Sequence, residues 1–170
     1  ILQGELPELP FWNYLEKRLH YVRWLAPPLT NLPSAYENFS VSVPDKPVKG
    51  KRPMELCLHK DDRSYWRTDV RIERDSIVLT PYDWPRHSWW YGHHESLDTL
   101  YGLREGLVQP YMERRVLSLM DWAAAKWPVD TDRVLVHGVR RSGGGPGRSS
   151  GNRLSAPNGC ARLALRYPKR

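Results

Sequence analysis

The sequence has few of the features that mark disulfide-rich or membrane-spanning proteins. Its 170 residues include two cysteines, Cys57 and Cys160. Two cysteines are too few for a disulfide scaffold, and their spacing does not predict a cysteine-based zinc site. No apolar run reaches the roughly 20 residues that a membrane-spanning helix needs, so we expect no membrane association. The chain begins with Ile1 and has no signal-peptide pattern, which predicts a fragment or a processed chain.

Acidic residues are absent after Asp132, whereas nine basic residues follow it. The first 132 residues carry 17 basic and 19 acidic groups, so one end of the chain produces the net charge of +7. A nucleic-acid-binding domain normally has a basic surface over its folded body. The Gly- and Arg-rich stretch 140–153 also lacks the aromatic residues that stack on bases. Nucleic-acid binding is therefore the candidate function that the sequence supports least.

Apolar spacing predicts the secondary structure. Spacings of three and four residues predict helices over residues 8–25 and 107–127. Alternating or short continuous apolar runs predict strands over residues 39–43, 54–58, 77–80 and 133–137. The last four of these elements follow in the order strand, strand, helix, strand. This order is typical of an α/β protein with a mostly parallel sheet and crossover helices.

The composition changes at residue 139. Residues 139–160 hold six of the 12 glycines with four arginines and four serines, and apolar periodicity returns at residue 161. We therefore divide the chain into an N-terminal helical segment and loop (1–38), a main domain (39–138), an irregular segment (139–160) and a short helix remnant (161–170). A reading-frame slip over 139–160 would explain the change, because shifted reading of a GC-rich gene gives such a composition.

One stretch resembles a known family. The predicted helix ends in Trp-Pro-Val-Asp, and the strand Arg-Val-Leu-Val-His-Gly that follows ends at Gly138. This pattern is similar to the approach to the nucleophile elbow of α/β-hydrolases, in particular secreted esterases and polyhydroxyalkanoate-depolymerase-like serine hydrolases. Leu56–His59 resembles the strand before the oxyanion-hole loop, Ile77–Pro81 the next strand, and Leu163–Pro168 the end of the helix after the elbow.

This resemblance implies the N-terminal half of an α/β-hydrolase domain, truncated after the nucleophile-elbow region. It further implies an ester substrate, cleavage through an acyl-serine intermediate, no metal or organic cofactor, and a secreted or periplasmic location. It also implies an oxyanion hole at His59 and Lys60, although Lys60 stands where the family has glycine. The sequence leaves the oligomeric state open.

The elbow itself departs from the family pattern. With Gly138 as its first glycine, the nucleophile should stand at position 140, which holds Arg140. Ser142 is the nearest candidate nucleophile, with Gly144 two residues after it. In the family the acid and the histidine follow the serine, but the 28 residues after Ser142 contain no Asp, Glu or His. We therefore expect negligible hydrolase activity from this chain, because a serine hydroxyl without a base is a poor nucleophile.

The stretch 82–94 is rich in aromatic residues. Trp84, Trp89, Trp90 and Tyr91 could line a substrate pocket, or they could pack over the long helix. The second candidate function is accordingly a catalytically inactive module that binds a partner through this loop. His93 and His94 are adjacent and point to different sides of the chain, so we expect no metal site there.

Overall fold

The computed structural model describes residues 2–5, 16–44, 49–59, 64–66, 71–84, 88, 90–102, 104, 106–138 and 163–165. The described part contains one helix and nine strands: β1 Leu2–Glu5, β2 Glu16–Trp24, β3 Tyr36–Pro44, β4 Arg52–Leu58, β5 Ile77–Pro81, β6 His93–His94, β7 Val108–Gln109, α1 Tyr111–Lys126, β8 Val129–Gly138 and β9 Leu163–Leu165. Nothing in this part of the chain is a helix long and apolar enough to cross a membrane.

Seven strands form one mixed sheet in the order β1-β2-β3-β5-β4-β8-β9, and β6 pairs with β7 separately. The neighbours β5–β4 and β4–β8 are parallel, and the other neighbours in the large sheet are antiparallel. Parallel strands need a crossover connection, and α1 lies in the one between β5 and β8. The parallel strands thus lie inside the sheet, with antiparallel strands on both sides.

The hydrophobic core lies between α1 and one face of the sheet. Alternate residues of the strands supply one side of it, among them Met54, Ile77 and Leu79, which are fully buried. On α1, Met112, Val116, Leu119, Met120 and Ala123 supply the other side. Residues three and four apart share one helix face, so the spacing that predicts α1 also builds the core.

The opposite face of the sheet is also buried, but many of its side chains are polar. Its buried members include Ser40, Thr80, Glu55 and His137. Segments 64–66 and 71–76 contact this face, since the Ser40 hydroxyl donates to the carbonyl of Tyr65 and Ser76 bonds to Glu55. We call it the polar face, and the face under α1 the apolar face.

The predicted strands 39–43, 54–58, 77–80 and 133–137 correspond to β3, β4, β5 and β8. β5 is buried at every residue, as a short apolar run bounded by proline predicts. The predicted helix 107–127 is present from Tyr111, but it is wrong before that residue. Val108–Gln109 instead pairs with His93–His94, and the carbonyl of Tyr91 accepts hydrogen bonds from two amides of the first helical turn.

Two further helix predictions are wrong where they can be compared. Within residues 8–25, Glu16–Trp24 is strand β2, and residues 6–15 lie outside the described part. β2 pairs with β3 over nine residues, and this cross-strand pairing outweighs the helical spacing of Leu19 and Val22. Within the predicted helix remnant 161–170, Leu163–Leu165 is strand β9, because its backbone pairs with β8.

Candidate active site

The carboxyl ends of the three parallel strands meet at one edge of the sheet. β5 ends at Pro81, β4 at Leu58 and β8 at Gly138, and β4 lies between the other two. The segments that leave these strands therefore start side by side. In open α/β sheets, ligands bind outside the carboxyl ends of the strands, so this edge is the candidate site.

His59 follows β4 and lies at this edge. Its ring stacks on Tyr82 with 5.6 Å between centroids and meets Trp90 edge-on at 5.0 Å. Its Nε2 accepts a hydrogen bond of 3.1 Å from the backbone N–H of Asp83. A nitrogen that accepts carries no proton, so this contact favours the neutral ring and occupies its basic nitrogen. Lys60, the other predicted oxyanion-hole residue, lies outside the described residues.

Gly138 ends β8 in a position that excludes a side chain. A Cβ atom on Gly138 would lie 2.9 Å from the carbonyl oxygen of Leu58 and 3.3 Å from the Leu58 Cβ. The first distance is to backbone of the neighbouring strand and is shorter than an ordinary contact. Close approach of a neighbouring strand is the reason that the elbow pattern has a small residue at this place. Ser142, the candidate nucleophile, lies outside the described residues.

The aromatic loop divides into a packed part and an exposed part. Trp90 has a left-handed backbone with φ of 61° and packs against the hydrophobic core as well as His59. Its amide donates to the hydroxyl of Ser88, which in turn donates to Asp83. Trp84 and Tyr91 are 48% and 50% exposed. Trp89 lies outside the described residues, so packing and pocket-lining both remain predictions for it.

Arg115 on α1 forms a hydrogen bond that connects the helix to the aromatic loop, and the sequence did not predict this role. This helix residue is 1% exposed, and it donates to the carbonyls of Leu29, at 2.8 Å, and of Trp84. Burial lowers the pKa of Arg115, while the charges of Glu37 and Asp83 act in the opposite direction. An arginine within an otherwise apolar helix face is the one signal in the sequence that could have indicated this role.

Sequence reasoning also missed a buried ionic cluster on the polar face. The Glu55 carboxylate is 0% exposed and accepts hydrogen bonds from the amides of Ile72 (3.0 Å) and Glu73 (2.7 Å) and from the Ser76 hydroxyl (2.6 Å). Nε2 of His137 lies 3.1 Å from the second carboxylate oxygen. The ring N–H lacks hydrogen-bond geometry, so we describe this contact as an ion pair. Burial raises the pKa of Glu55, but the hydrogen bonds outweigh burial and lower it overall.

His137 stands directly before Gly138 and opposite Cys57, its register partner on β4. Burial lowers the pKa of His137, but its polar contacts with Cys57 and Glu55 outweigh burial and raise it to about 9. The ring is therefore an imidazolium at neutral pH. Along β4, Met54, Leu56 and Leu58 alternate with Glu55 and Cys57, and this alternation was the available signal that Glu55 and Cys57 share a face. The register between β4 and β8 adds His137 to that face.

The described residues include no group of three His, Cys, Asp or Glu side chains that could hold a metal ion. His93 and His94 have protein partners instead. Nε2 of His93 lies 3.3 Å from the Asn31 side-chain oxygen, and Nδ1 of His94 accepts from the amide of Ser96 at 3.1 Å.

Among known proteins, the chain shows a likeness to solved structures. No family model matches the chain, and no curated protein matches it. Among solved structures, it is similar to an S-formylglutathione hydrolase from Agrobacterium tumefaciens, with a TM-score of 0.52 and 12% identity over 81% of this chain and 52% of the other. It is also similar to an S-formylglutathione hydrolase (FrmB) from Staphylococcus aureus, with a TM-score of 0.43 and 15% identity over 71% of this chain and 47% of the other.

The first of these likenesses confirms the predicted fold class, a partial α/β-hydrolase fold. The chain spans about half the length of the solved hydrolases that it matches. The secreted-esterase and depolymerase details of the resemblance remain predictions.

Proposed function

We propose that this chain has the scaffold of a serine hydrolase that acts on ester bonds, in a form that does not itself turn over substrate. The observation that carries the proposal is the end of β8, where Gly138 lies against the backbone of Leu58. This contact puts the end of β8 beside the end of β4, which His59 follows, at the carboxyl edge of the parallel strands. The likeness of the fold to an S-formylglutathione hydrolase supports the same class.

In such a scaffold a serine hydroxyl attacks the ester carbonyl, and backbone amides stabilise the oxyanion that forms. The alcohol leaves, and water then hydrolyses the acyl-serine. Both chemical steps need a base that takes a proton from the attacking group, the serine hydroxyl and then water, and returns it to the group that leaves, the alcohol and then the serine. The candidate nucleophile in this chain is Ser142, and no Asp, Glu or His follows it.

Neither described histidine at this edge is available as that base. Nε2 of His59 already accepts the Asp83 amide. His137 is 4% exposed, lies against Glu55 and is protonated at neutral pH, because its pKa is raised to about 9. We therefore propose that the chain holds the framework of the site without the groups that would activate its serine.

An assay with an activated short-chain aryl ester tests the lack of turnover. We expect the same background rate for the wild-type chain, Ser142→Ala and the control Ser150→Ala, and no labelling by a fluorophosphonate probe. Turnover that Ser142→Ala abolishes and Ser150→Ala retains would show that Ser142 is activated and would overturn this part of the proposal.

The nucleotide sequence that encodes the chain tests the reading-frame hypothesis. We expect one of the other two reading frames to give Gly-x-Ser-x-Gly from the codon of Gly138, followed by an Ala- or Leu-rich helix. If neither frame gives this pattern, the reading-frame hypothesis fails.

The exposure of Trp84 and Tyr91 favours a second candidate, an inactive module that binds an aromatic or acyl ligand at this edge. Equilibrium dialysis with phenyl butyrate tests it. Under this alternative, Trp84→Ala weakens binding several-fold, because indole rings contribute large contact areas. Trp24→Ala is the matched control, since Trp24 is 69% exposed and lies on β2. Equal binding by both variants would contradict the alternative.

A further inference from the structure

We propose that Glu55 and His137 are a positioning pair, charged in the native state, which sets the course of β8 into Gly138 and fastens loop 71–76 to β4. The proposal goes beyond ester hydrolysis, and its test does not depend on whether the chain is a serine-hydrolase scaffold. Neither residue was a candidate functional residue in the sequence.

The geometry joins three chain segments at one carboxylate. Glu55 lies on β4, three of its donors come from loop 71–76, and His137 lies on β8. Loop 71–76 leads directly into β5, so the same carboxylate also fixes the start of that strand. A single buried group thus connects the three parallel strands below their carboxyl ends.

Glu55 and His137 lie on the same face of two neighbouring parallel strands. In the parallel register Glu55 pairs with Leu135, and Cys57 pairs with His137. His137 therefore reaches back along the polar face to the carboxylate and lies against the Cys57 thiol. The residue after His137 is Gly138, whose backbone contacts Leu58. A change in the His137 ring therefore acts on β8 directly before its last residue.

Charged groups of the adjoining elements surround the pair. Arg71 donates to the Ser76 carbonyl within the loop, and Arg133 on β8 lies 4.0 Å from the Glu73 carboxylate. The Arg133–Glu73 contact is more than half exposed on both sides, so solvent screens it. The contact between His137 and Glu55 is almost fully buried and is screened much less.

The net charge of the pair changes both when pH rises and when pH falls. The pKa of Glu55 is lowered and that of His137 is raised to about 9, so both groups are charged at neutral pH. When pH rises through about 9, His137 loses its proton and the carboxylate loses its counter-charge. When pH falls through the lowered value of Glu55, the carboxyl gains a proton and accepts the loop amides less strongly. A side chain that only filled space would show neither change.

Hydrogen exchange at the Ile72 and Glu73 amides measures the attachment of the loop. We expect Glu55→Gln to raise their exchange rates at least about tenfold relative to wild type, because both amides donate to the carboxylate. Glu37→Gln is the matched control, since Glu37 is also buried and pairs with Arg23 elsewhere in the sheet. Unchanged exchange at both amides in Glu55→Gln would overturn the proposal.

The pH profile separates positioning from simple packing. In wild type we expect the two amides to lose protection as pH rises through about 9, beyond the general acceleration of exchange by base. His137→Gln should lack this step, and His20→Gln, which removes another buried histidine of the polar face, should retain it. A step that persists in His137→Gln would overturn the proposal.

Discussion

The two faces of the central sheet are both buried, but they differ in chemistry. On the apolar face, Met54, Ile77 and Leu79 pack against α1 with no exposed surface. On the polar face, Glu55 is equally buried and is stabilised by hydrogen bonds and an ion pair. The apolar face depends on the volume that its side chains fill, whereas the polar face depends on whether each polar group has a partner.

This difference has consequences for stability. Removing apolar atoms leaves a cavity, and the cost does not depend on pH. Removing one partner of a buried pair leaves the other partner unsatisfied, and titration of either partner has a related effect. The two faces should therefore respond differently to the same two perturbations, truncation and pH.

The largest effect is expected on the apolar face. Leu119 is fully buried, so Leu119→Ala should lower the free energy of unfolding by about 3 kcal/mol, equally at pH 6.5 and 9. Urea denaturation measures this change. Leu117→Ala is the control on the same helix, because Leu117 is 41% exposed and its truncation should have a much smaller effect. A pH-dependent loss in Leu119→Ala would contradict the distinction between the faces.

On the polar face we expect pH to act through His137. Its pKa is raised from 6.5 to about 9, so its contribution is complete below pH 6.5 and is lost as pH rises through about 9. The wild type should lose about 2 kcal/mol over this range relative to His137→Gln. Glu55 has a lowered pKa, so its contribution is present above pH 4.5 and is lost as pH falls through the lowered value. Parallel curves for wild type and His137→Gln would contradict the account.

Gly138 is the last residue of β8, a strand whose side chains contribute to both faces of the sheet. Gly138→Ala should cost about 1.5 kcal/mol in unfolding free energy, because the new Cβ would meet the Leu58 carbonyl. Gly102→Ala is the matched control, since a Cβ there has no atom within 4 Å. Thermal denaturation of the two variants checks this prediction, and equal stability would remove the packing reason for glycine at the end of β8.

The smallest effect concerns Lys126 at the end of α1. Its ammonium lies 4.5 Å from the ring centroid of Tyr21 and 5.1 and 5.2 Å from those of Trp122 and Trp127, and it donates to the Tyr21 hydroxyl at 2.9 Å. Lys126→Met should cost about 1 kcal/mol through loss of the cation–π contacts. The control Lys51→Met changes an exposed lysine. Urea midpoints that shift equally in both variants would contradict this role.

The elements of the apolar face could be predicted from the sequence. Short apolar runs bounded by proline or glycine define β5 and β8, and the spacing from Met112 to Ala123 defines most of α1. β2 could not be predicted, because Leu19 and Val22 fit helical spacing, whereas in the strand Leu19 shares its buried face with Tyr21. Pairing with β3 decides between the two, and that pairing depends on the fold of the whole sheet.

The candidate site was predicted less completely. His59 and Trp90 lie together at the carboxyl edge of the parallel strands, and Gly138 stands where the backbone of Leu58 leaves no room for a side chain. Lys60, Trp89 and Ser142 remain predictions. The pair of Glu55 and His137 could not be predicted, because the two residues are distant in the chain and meet only when β4 and β8 are adjacent and in register.

The charge of His137 is the most direct test of the difference between the faces. Nuclear magnetic resonance of the imidazole nitrogens, assigned with His137→Gln, measures it between pH 6.5 and 9. The account predicts that both ring nitrogens carry protons across most of this range and that the ring titrates near its upper end. A ring that titrates near pH 6.5, or that is neutral throughout, would contradict a charged pair buried on the polar face.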